Sequence, residues 1–533
     1  MTTNTGKKVL ITDPLDEEGL RILQDAEGLT VEVKSGLPAD ALKEIIGGYH
    51  ALVVRSATKV TADLLDAAGS LEVIGRAGIG VDNVDVEAAS RRGVVVMNTP
   101  EGSAVTTAEH AITLLLSLAR RIPQATASMK AGKWDKKRFM GAEVAGKTLG
   151  VVGVGNIGGI VADRAQGLKM KVIAYDPYLS EEAAVKKGIT LVSLEELLER
   201  ADFISIHTPL TKDTRHLIDR KAFARMKKGM LLVNAARGGI IHEGDLKEAI
   251  ESGIVVGAAL DVWEKEPPGE SPLLSMDQVI CTPHLGASTE EAQVNVSVAV
   301  AEQIVAFFSQ GIIKNAVNVP SVSREQLARI EPYLVLAERL GRFIAQTYEG
   351  AIEEFHIDYC GEVAEFESLK PLTAAALKGL LAPMLGEKVN FVNAPFLARE
   401  REIQLVESKT SDAQEFSSLI RMRGVGKAGE RLVCGALFGR GNPRIVRIDN
   451  FYLEAHAGGH ILMMHNLDKP GVVGAVGTLL GTSGINIARM QLGLDNEKRE
   501  AVALIQIDEP APPDVLRKFA ALPNILSVKQ IEL

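Results

Sequence analysis

Aromatic side chains are scarce in this chain, 4% of 533 residues, and there are only three cysteines. Cys281, Cys360 and Cys434 are widely spaced, odd in number and form no CxxC pair, which speaks against a disulfide framework and against a thiolate metal site. Three buried, reduced thiols and no bound metal are expected. Basic runs are missing as well. The longest cluster is Lys136-Lys137-Arg138 and the formal net charge is -9, so the electrostatic footprint of a nucleic-acid binder is absent. No apolar stretch reaches the length of a bilayer span, and MTTNTGKKVLITD runs into a strand-like segment with no signal-peptide core. A cytoplasmic protein without nucleic-acid or membrane partners is expected.

Glycine, in contrast, is plentiful at 50 residues in a chain that is 46% apolar, a mixture that suits α/β architecture with many tight turns. A chain this long exceeds what one hydrophobic core can hold, so three or four compact units are expected. From Lys8 to about Met97 the runs KVLITD, ALVVRS, LEVIGRA and GVVVMN alternate with helical patterns at Pro38 to Ile46 and Thr61 to Ala68, which reads as stacked βαβ units. A helical pattern from Val105 to Arg121 leads to a second series: TLGVVGVG, KVIAYD, FISIH, GMLLVNAA, IVVGAALDV and VICTPH. Two doubly wound parallel-sheet domains of Rossmann or flavodoxin type are therefore predicted. Helical periodicity from Thr289 to Ser309 precedes an extended boundary at Asn315 to Val322. Beyond it, Ser323 to His456 reads as an α+β unit with helices at Glu325 to Tyr348 and Leu372 to Leu385 and β-like runs VNFVNAP and RLVCGALFG. Gly459 to Leu533 then reads strand, helix, strand, strand, helix, strand, a ferredoxin-like order.

The chemistry-bearing motifs follow strands. Gly153, Gly155 and Gly158 form G-x-G-x-x-G between an apolar strand and a helix, where backbone amides at the helix start can receive a pyrophosphate. Asp176 closes the next strand, eighteen residues after Gly158, placed to bind a ribose hydroxyl and to repel a 2′-phosphate, which points to NAD. Arg237, Glu266 and His284 follow later strands of the same series. A guanidinium suits a carboxylate and its neighbouring oxygen, and a carboxylate paired with an imidazole makes a proton acceptor for a hydroxyl. Each of the three has a plain alternative as a salt-bridge partner, a turn residue or a loop histidine. Their shared position at strand ends is what favours chemistry.

With VRSAT, GRAGIGVDNVD, NTPEG, GVGNIG, NAARGG, DVWEKEP and PHLGAST in order, the chain resembles the D-isomer-specific 2-hydroxyacid dehydrogenases along essentially its whole length. It is most similar to their long-form branch, which acts on 3-phospho-D-glycerate. The resemblance implies catalytic Arg237, Glu266 and His284, and cofactor contacts at Asn156, Ile157, Thr208, Ala235, Asp261 and Gly286 besides the glycines and Asp176. It also implies a discontinuous substrate domain, residues 1–98 and 288–318, around an NAD-binding domain at 99–287. An intervening domain at 319–457 and an ACT domain at 458–533 would follow. Arg55 and Arg76 are expected at the substrate's charged ends, with backbone amides around Ala77, Gly78 and Ile79 as a possible anion nest. The resemblance implies Lys136, Lys137 and Arg138 after Trp134 as charge for a neighbouring subunit's cleft; the plain alternative is a solvated face. In the tail, Asn466, Asp468 and Asn486 lie where ACT domains contact an amino-acid effector, here L-serine by resemblance. A homodimer or homotetramer is implied. Arg421, Arg423 and Arg440 in the intervening stretch stay unassigned. Two other readings remain open: a sister dehydrogenase acting on glycerate or hydroxypyruvate, and a nucleotide-sensing binding protein.

Overall fold

Strands and helices alternate from Lys7 to Cys281, and every strand pairing in that stretch is parallel. The structure, a computed structural model, describes residues 6–319, 324–386, 388–439, 441–495 and 497–533. Arg440 lies outside them. The first sheet has five strands which, counted along the chain, stand in the order 2-1-3-4-5; the second has seven, in the order 3-2-1-4-5-6-7. Strands such as Ala51–Val54 and Phe203–Ile206 are buried along their whole length, as strands covered by helices on both faces must be. Because each crossover helix returns the chain to the same edge, the carboxyl ends of all strands in a sheet gather their loops on one side.

The helix Ala104–Arg120 carries the chain from the first sheet to the second, and the helix Glu290–Gln310 brings it back. Val296, Val300 and Ile304 of the returning helix join Val73, Val95 and Met97 in one core. Among the described residues this is the helix long and apolar enough to cross a bilayer, and its apolar side is spent on the sheet.

The third sheet has six strands from Glu354 to His456, antiparallel except where Glu354–Gly361 pairs with Gln404–Thr410. The helices Arg324–Thr347 and Lys370–Leu385 contribute to its core. The last sheet is antiparallel, with two helices in the strand–helix–strand–strand–helix–strand order expected. Its Ile461, Met463, Val502, Leu504 and Ile531 enter the core of the third sheet, so the two C-terminal units share one apolar interior.

Two expectations fail here. VNFVNAP is not a strand: it forms a turn that starts the helix Ala394–Glu400. The reason is local. Asn390 Oδ1 accepts from the amides of Val392 and Asn393, and Asn393 Oδ1 accepts from Asn390, so two side chains outcompete a strand ladder for the backbone. Of the three thiols, Cys360 and Cys434 are buried but Cys281 is exposed.

The long helices of the intervening unit cross closely. A Cβ added at Gly379 would lie 1.9 Å from the carbonyl oxygen of Glu338, and one at Gly341 2.1 Å from that of Ala376. Gly379→Ala should therefore force the helices apart and destabilise the chain by about 1–3 kcal/mol, read as a lowered urea midpoint. An unchanged midpoint would mean that the crossing adjusts at no cost.

Candidate active site

A cavity of 990 Å³ lies where loops of the two parallel sheets meet. Arg55, Arg76, Gly78 and Asp82 line it from the first sheet; Gly155, Asn156, Ile157, Thr208, Ala235, Arg237, Glu266, His284 and Gly286 line it from the second. Thirteen residues from seven segments of sequence thus share one cleft because their strands are parallel.

The cofactor side fits a dinucleotide. The helix Asn156–Gly167 begins without a side-chain cap, so the amides of its first turn are available to an anion. Gly158 permits the turn to close, since a Cβ there would sit 1.9 Å from the carbonyl oxygen of Gly153. Asp176 is braced against this loop, its Oδ2 accepting from Val154 N at 2.8 Å and its Oδ1 from Tyr178 N at 2.9 Å. Thr208 Oγ1 and His207 Nδ1, beside the glycine turn, are buried without a protein partner. Burial holds the His207 imidazole down at about 3, hence neutral.

On the reaction side, His284 Nδ1 donates to Glu266 Oε2 at 2.8 Å, and Glu266 Oε1 accepts from Trp263 N at 3.2 Å. The hydrogen bond to Glu266 is the largest influence on His284 and raises its imidazole above the ordinary range, against burial. Burial pushes the Glu266 carboxyl up, but the hydrogen bond and charge of His284 outweigh it and the group ends below its usual value. With Nδ1 engaged, Nε2 is the nitrogen left for a substrate hydroxyl. His284 itself takes φ 55°, an unusual left-handed backbone for a side chain of its size.

Arg237 follows the strand Met230–Asn234, whose last residue clamps the turn: Asn234 Oδ1 accepts from Ala236 N and its Nδ2 donates to Arg237 O. Its guanidinium reaches across the cleft to the first sheet, Nε donating to Asp82 Oδ2 at 2.7 Å. Gly80 makes room for it, since a Cβ there would lie 1.7 Å from Arg237 Nη2. Arg55 and Arg76 stand on the same wall, each with a buried Nε that has no partner. Burial, then the charge of Arg237 and, more weakly, of Arg55, push the Arg76 guanidinium down to about 10, which leaves it charged at neutral pH.

The anion nest takes a different form from the one expected. Ala77 N donates to Val54 O and Gly78 N to Thr99 Oγ1, so two of the three expected amides are spent within the fold, while Ile79 lines the cleft beside the guanidiniums of Arg55 and Arg76. Gly78 instead seats Arg76, because a Cβ there would overlap its Nη1. Asp261 is fully buried; it accepts from Thr282 Oγ1, Leu285 N and Gly286 N, which makes it the holder of the His284 loop. Sequence reasoning missed Asp82, although it stands in GVDNVD, and His110, whose partner lies 151 positions away.

The three tail residues do not meet. Asn466 pairs in register with Ala501, whereas Ile487 is level with Ile507, so Asn466 and Asn486 sit near opposite ends of the sheet, about 20 Å apart along the strands. Asn466 is 3% exposed with Oδ1 unpartnered, Asp468 is exposed, and Asn486 Nδ2 donates to Asp508. Trp134 and Lys136 are exposed, stacked on one another, and Arg138 pairs with Asp277.

Three family descriptions match the chain: the NAD binding domain of D-isomer specific 2-hydroxyacid dehydrogenases over residues 112–286, the D-3-phosphoglycerate dehydrogenase intervening domain over 329–449, and the ACT domain over 460–524. A D-3-phosphoglycerate dehydrogenase of Methanocaldococcus jannaschii is 44% identical, covering 99% of this chain and 100% of the relative. One of Bacillus subtilis is 40% identical, with 99% of each covered. Among solved structures, a glyoxylate reductase from Paecilomyes thermophila superposes with a TM-score of 0.55 at 30% identity, covering 60% of this chain and 99% of the other. A D-lactate dehydrogenase from Aquifex aeolicus, solved with NAD and lactic acid, gives 0.51 at 28%, covering 59% and 100%. The chain therefore belongs to the D-3-phosphoglycerate dehydrogenase family and is an NAD-dependent oxidoreductase with a C-terminal ACT domain.

Proposed function

We propose that the chain oxidises 3-phospho-D-glycerate to 3-phosphooxypyruvate in the cytoplasm, the first committed step of L-serine biosynthesis, with L-serine acting back through the tail. The observation that supports the substrate is the gathering of Arg55, Arg76 and Arg237 on one wall, two of them with unpartnered Nε groups. Three charged guanidiniums in a partly buried cleft repel one another, and a ligand carrying both a carboxylate and a phosphate relieves that repulsion better than a monoanion.

NAD supplies the acceptor for the hydride leaving C2. Gly153, Gly155, Asn156, Ile157 and Gly158 would hold its pyrophosphate; Asp176 its ribose; Thr208, Ala235 and Gly286 the remainder, with the buried Asp261 acting from behind by holding Gly286 in place. Arg237 orients the substrate carboxylate, Arg55 and Arg76 take the phosphate, and His284 Nε2 receives the hydroxyl proton as the C2 carbonyl forms. Glu266 fixes the imidazole and stabilises its charge. Oxidation thus needs His284 neutral in the free enzyme, and reduction needs it protonated.

Asn466, Asp468 and Asn486 can contact one serine only if two copies of the ACT sheet stand side by side, each supplying one end. This supports a homo-oligomer, in which Trp134, Lys136, Lys137 and Arg138 also face a neighbour.

NADH formation from 3-phospho-D-glycerate and D-glycerate, measured in parallel, tests the substrate. Phosphoglycerate should be strongly preferred, and Arg55→Ala should lower its kcat/KM by about 100-fold while changing glycerate only slightly. Glycerate preferred by the wild type would remove the phosphate assignment. For the dyad, Glu266→Gln removes what raises His284, so the acid limb of kcat/KM for oxidation should move to lower pH while the plateau falls; an unmoved limb would deny the pairing its role. Calorimetry with L-serine on the full chain should show saturable binding, lost in Asn466→Ala. No binding at millimolar serine would end the feedback reading.

A further inference from the structure

His110 is buried for the most part on the helix Ala104–Arg120, outside the residues that line the cleft, with a side chain 19% exposed. Its Nε2 lies 3.2 Å from Asp261 Oδ1 and 3.4 Å from Thr282 Oγ1. An ionised carboxylate carries no hydrogen, and Thr282 already gives its hydroxyl hydrogen to Asp261 at 2.6 Å, so Nε2 must carry the proton in either contact.

Asp261 is the point on which the catalytic loop hangs. Its backbone carbonyl accepts from His284 N at 2.9 Å, and its carboxylate accepts from Leu285 N at 2.7 Å and Gly286 N at 2.8 Å. These bonds flank the one residue of the loop held at φ 55°, a conformation that persists only where its surroundings over-determine it. Every other donor to the Asp261 carboxylate comes from the loop itself, Thr282 to Gly286. His110 is the donor from outside.

We infer that His110 is a positioning residue, anchoring Asp261 and the loop bearing His284 to the helix that connects the two parallel sheets. Among the described residues the helix otherwise meets the loop through Thr107, which packs against Gly286, and Thr106, whose hydroxyl lies 3.4 Å from that of Thr289; His110 is the helix residue that hydrogen-bonds to the Asp261 carboxylate itself. Without it the buried carboxylate loses a donor, and a mislocated imidazole penalises proton transfer more than substrate binding.

The kinetic arm rests on the phosphoglycerate reading; an amide-exchange arm does not. His110→Ala should lower kcat by about 10- to 100-fold with KM for 3-phospho-D-glycerate within about threefold. It should also raise the isotope effect on kcat with C2-deuterated substrate, because chemistry becomes slower than product release. His110→Gln, which keeps an N–H donor, should restore both. Independently of turnover, hydrogen exchange at Leu285 and Gly286 should quicken by about tenfold in His110→Ala and recover in His110→Gln. If the alanine variant does not fold, His110→Leu fills the space without a donor and takes its place. A kcat within twofold of wild type, a loss confined to KM, or unchanged exchange at both amides would overturn the inference. Wild-type enzyme that fails on phosphoglycerate would instead overturn the substrate reading, and the exchange arm would still decide His110.

Discussion

Parallel strands impose the constraint on which the active cleft depends. Each must be followed by a crossover that returns the chain to its starting edge, so the loops after all strands of a sheet collect on one side. Two such sheets with facing loop edges gather Arg55 and Arg76 from one, and Arg237, Glu266 and His284 from the other. The return of the helix Glu290–Gln310 to the first sheet closes the arrangement, because the chain that leaves at Asn98 packs back on the same strands after Thr289.

In the cleft some charged groups are paired, while Arg55 and Arg76 each keep an Nε without a partner. Glu266 holds His284 by Nδ1, Asp82 holds Arg237 by Nε, and Asp13 takes the amide of Arg55 at 2.6 Å. Arg55, Arg76 and Arg237 line one common cavity. Burial raises the cost of leaving such donors unpaired, which makes the cleft selective for an anionic ligand able to occupy several of them at once.

The C-terminal half follows another principle. Its two sheets bury one face against each other's core, so the ACT unit is attached through apolar packing by Ile461, Met463, Val502, Leu504 and Ile531 and not only through a linker. An interface of that kind transmits displacement as a shift of packed side chains. The tail and the intervening unit therefore share one core.

What the sequence determined by itself is local: apolar runs of strand length, helical periodicity, the glycine turn before Asn156, and a polar residue at each strand end that matters. Those features depend on neighbours a few positions away, and Gly153, Gly155, Gly158, Arg237, Glu266 and His284 were legible for that reason. The turn at Val389–Pro395 was misread because two asparagine side chains there compete with the backbone, which hydrophobic pattern does not register. Asp261 stood in plain view, but its task is set by amides more than twenty positions later and by His110 on another helix. Likewise, only strand register places Asn466 and Asn486 at opposite ends of one sheet. Tertiary structure alone decided these, since a hydrogen bond between distant residues is fixed by how whole elements pack and leaves no periodic trace in the chain.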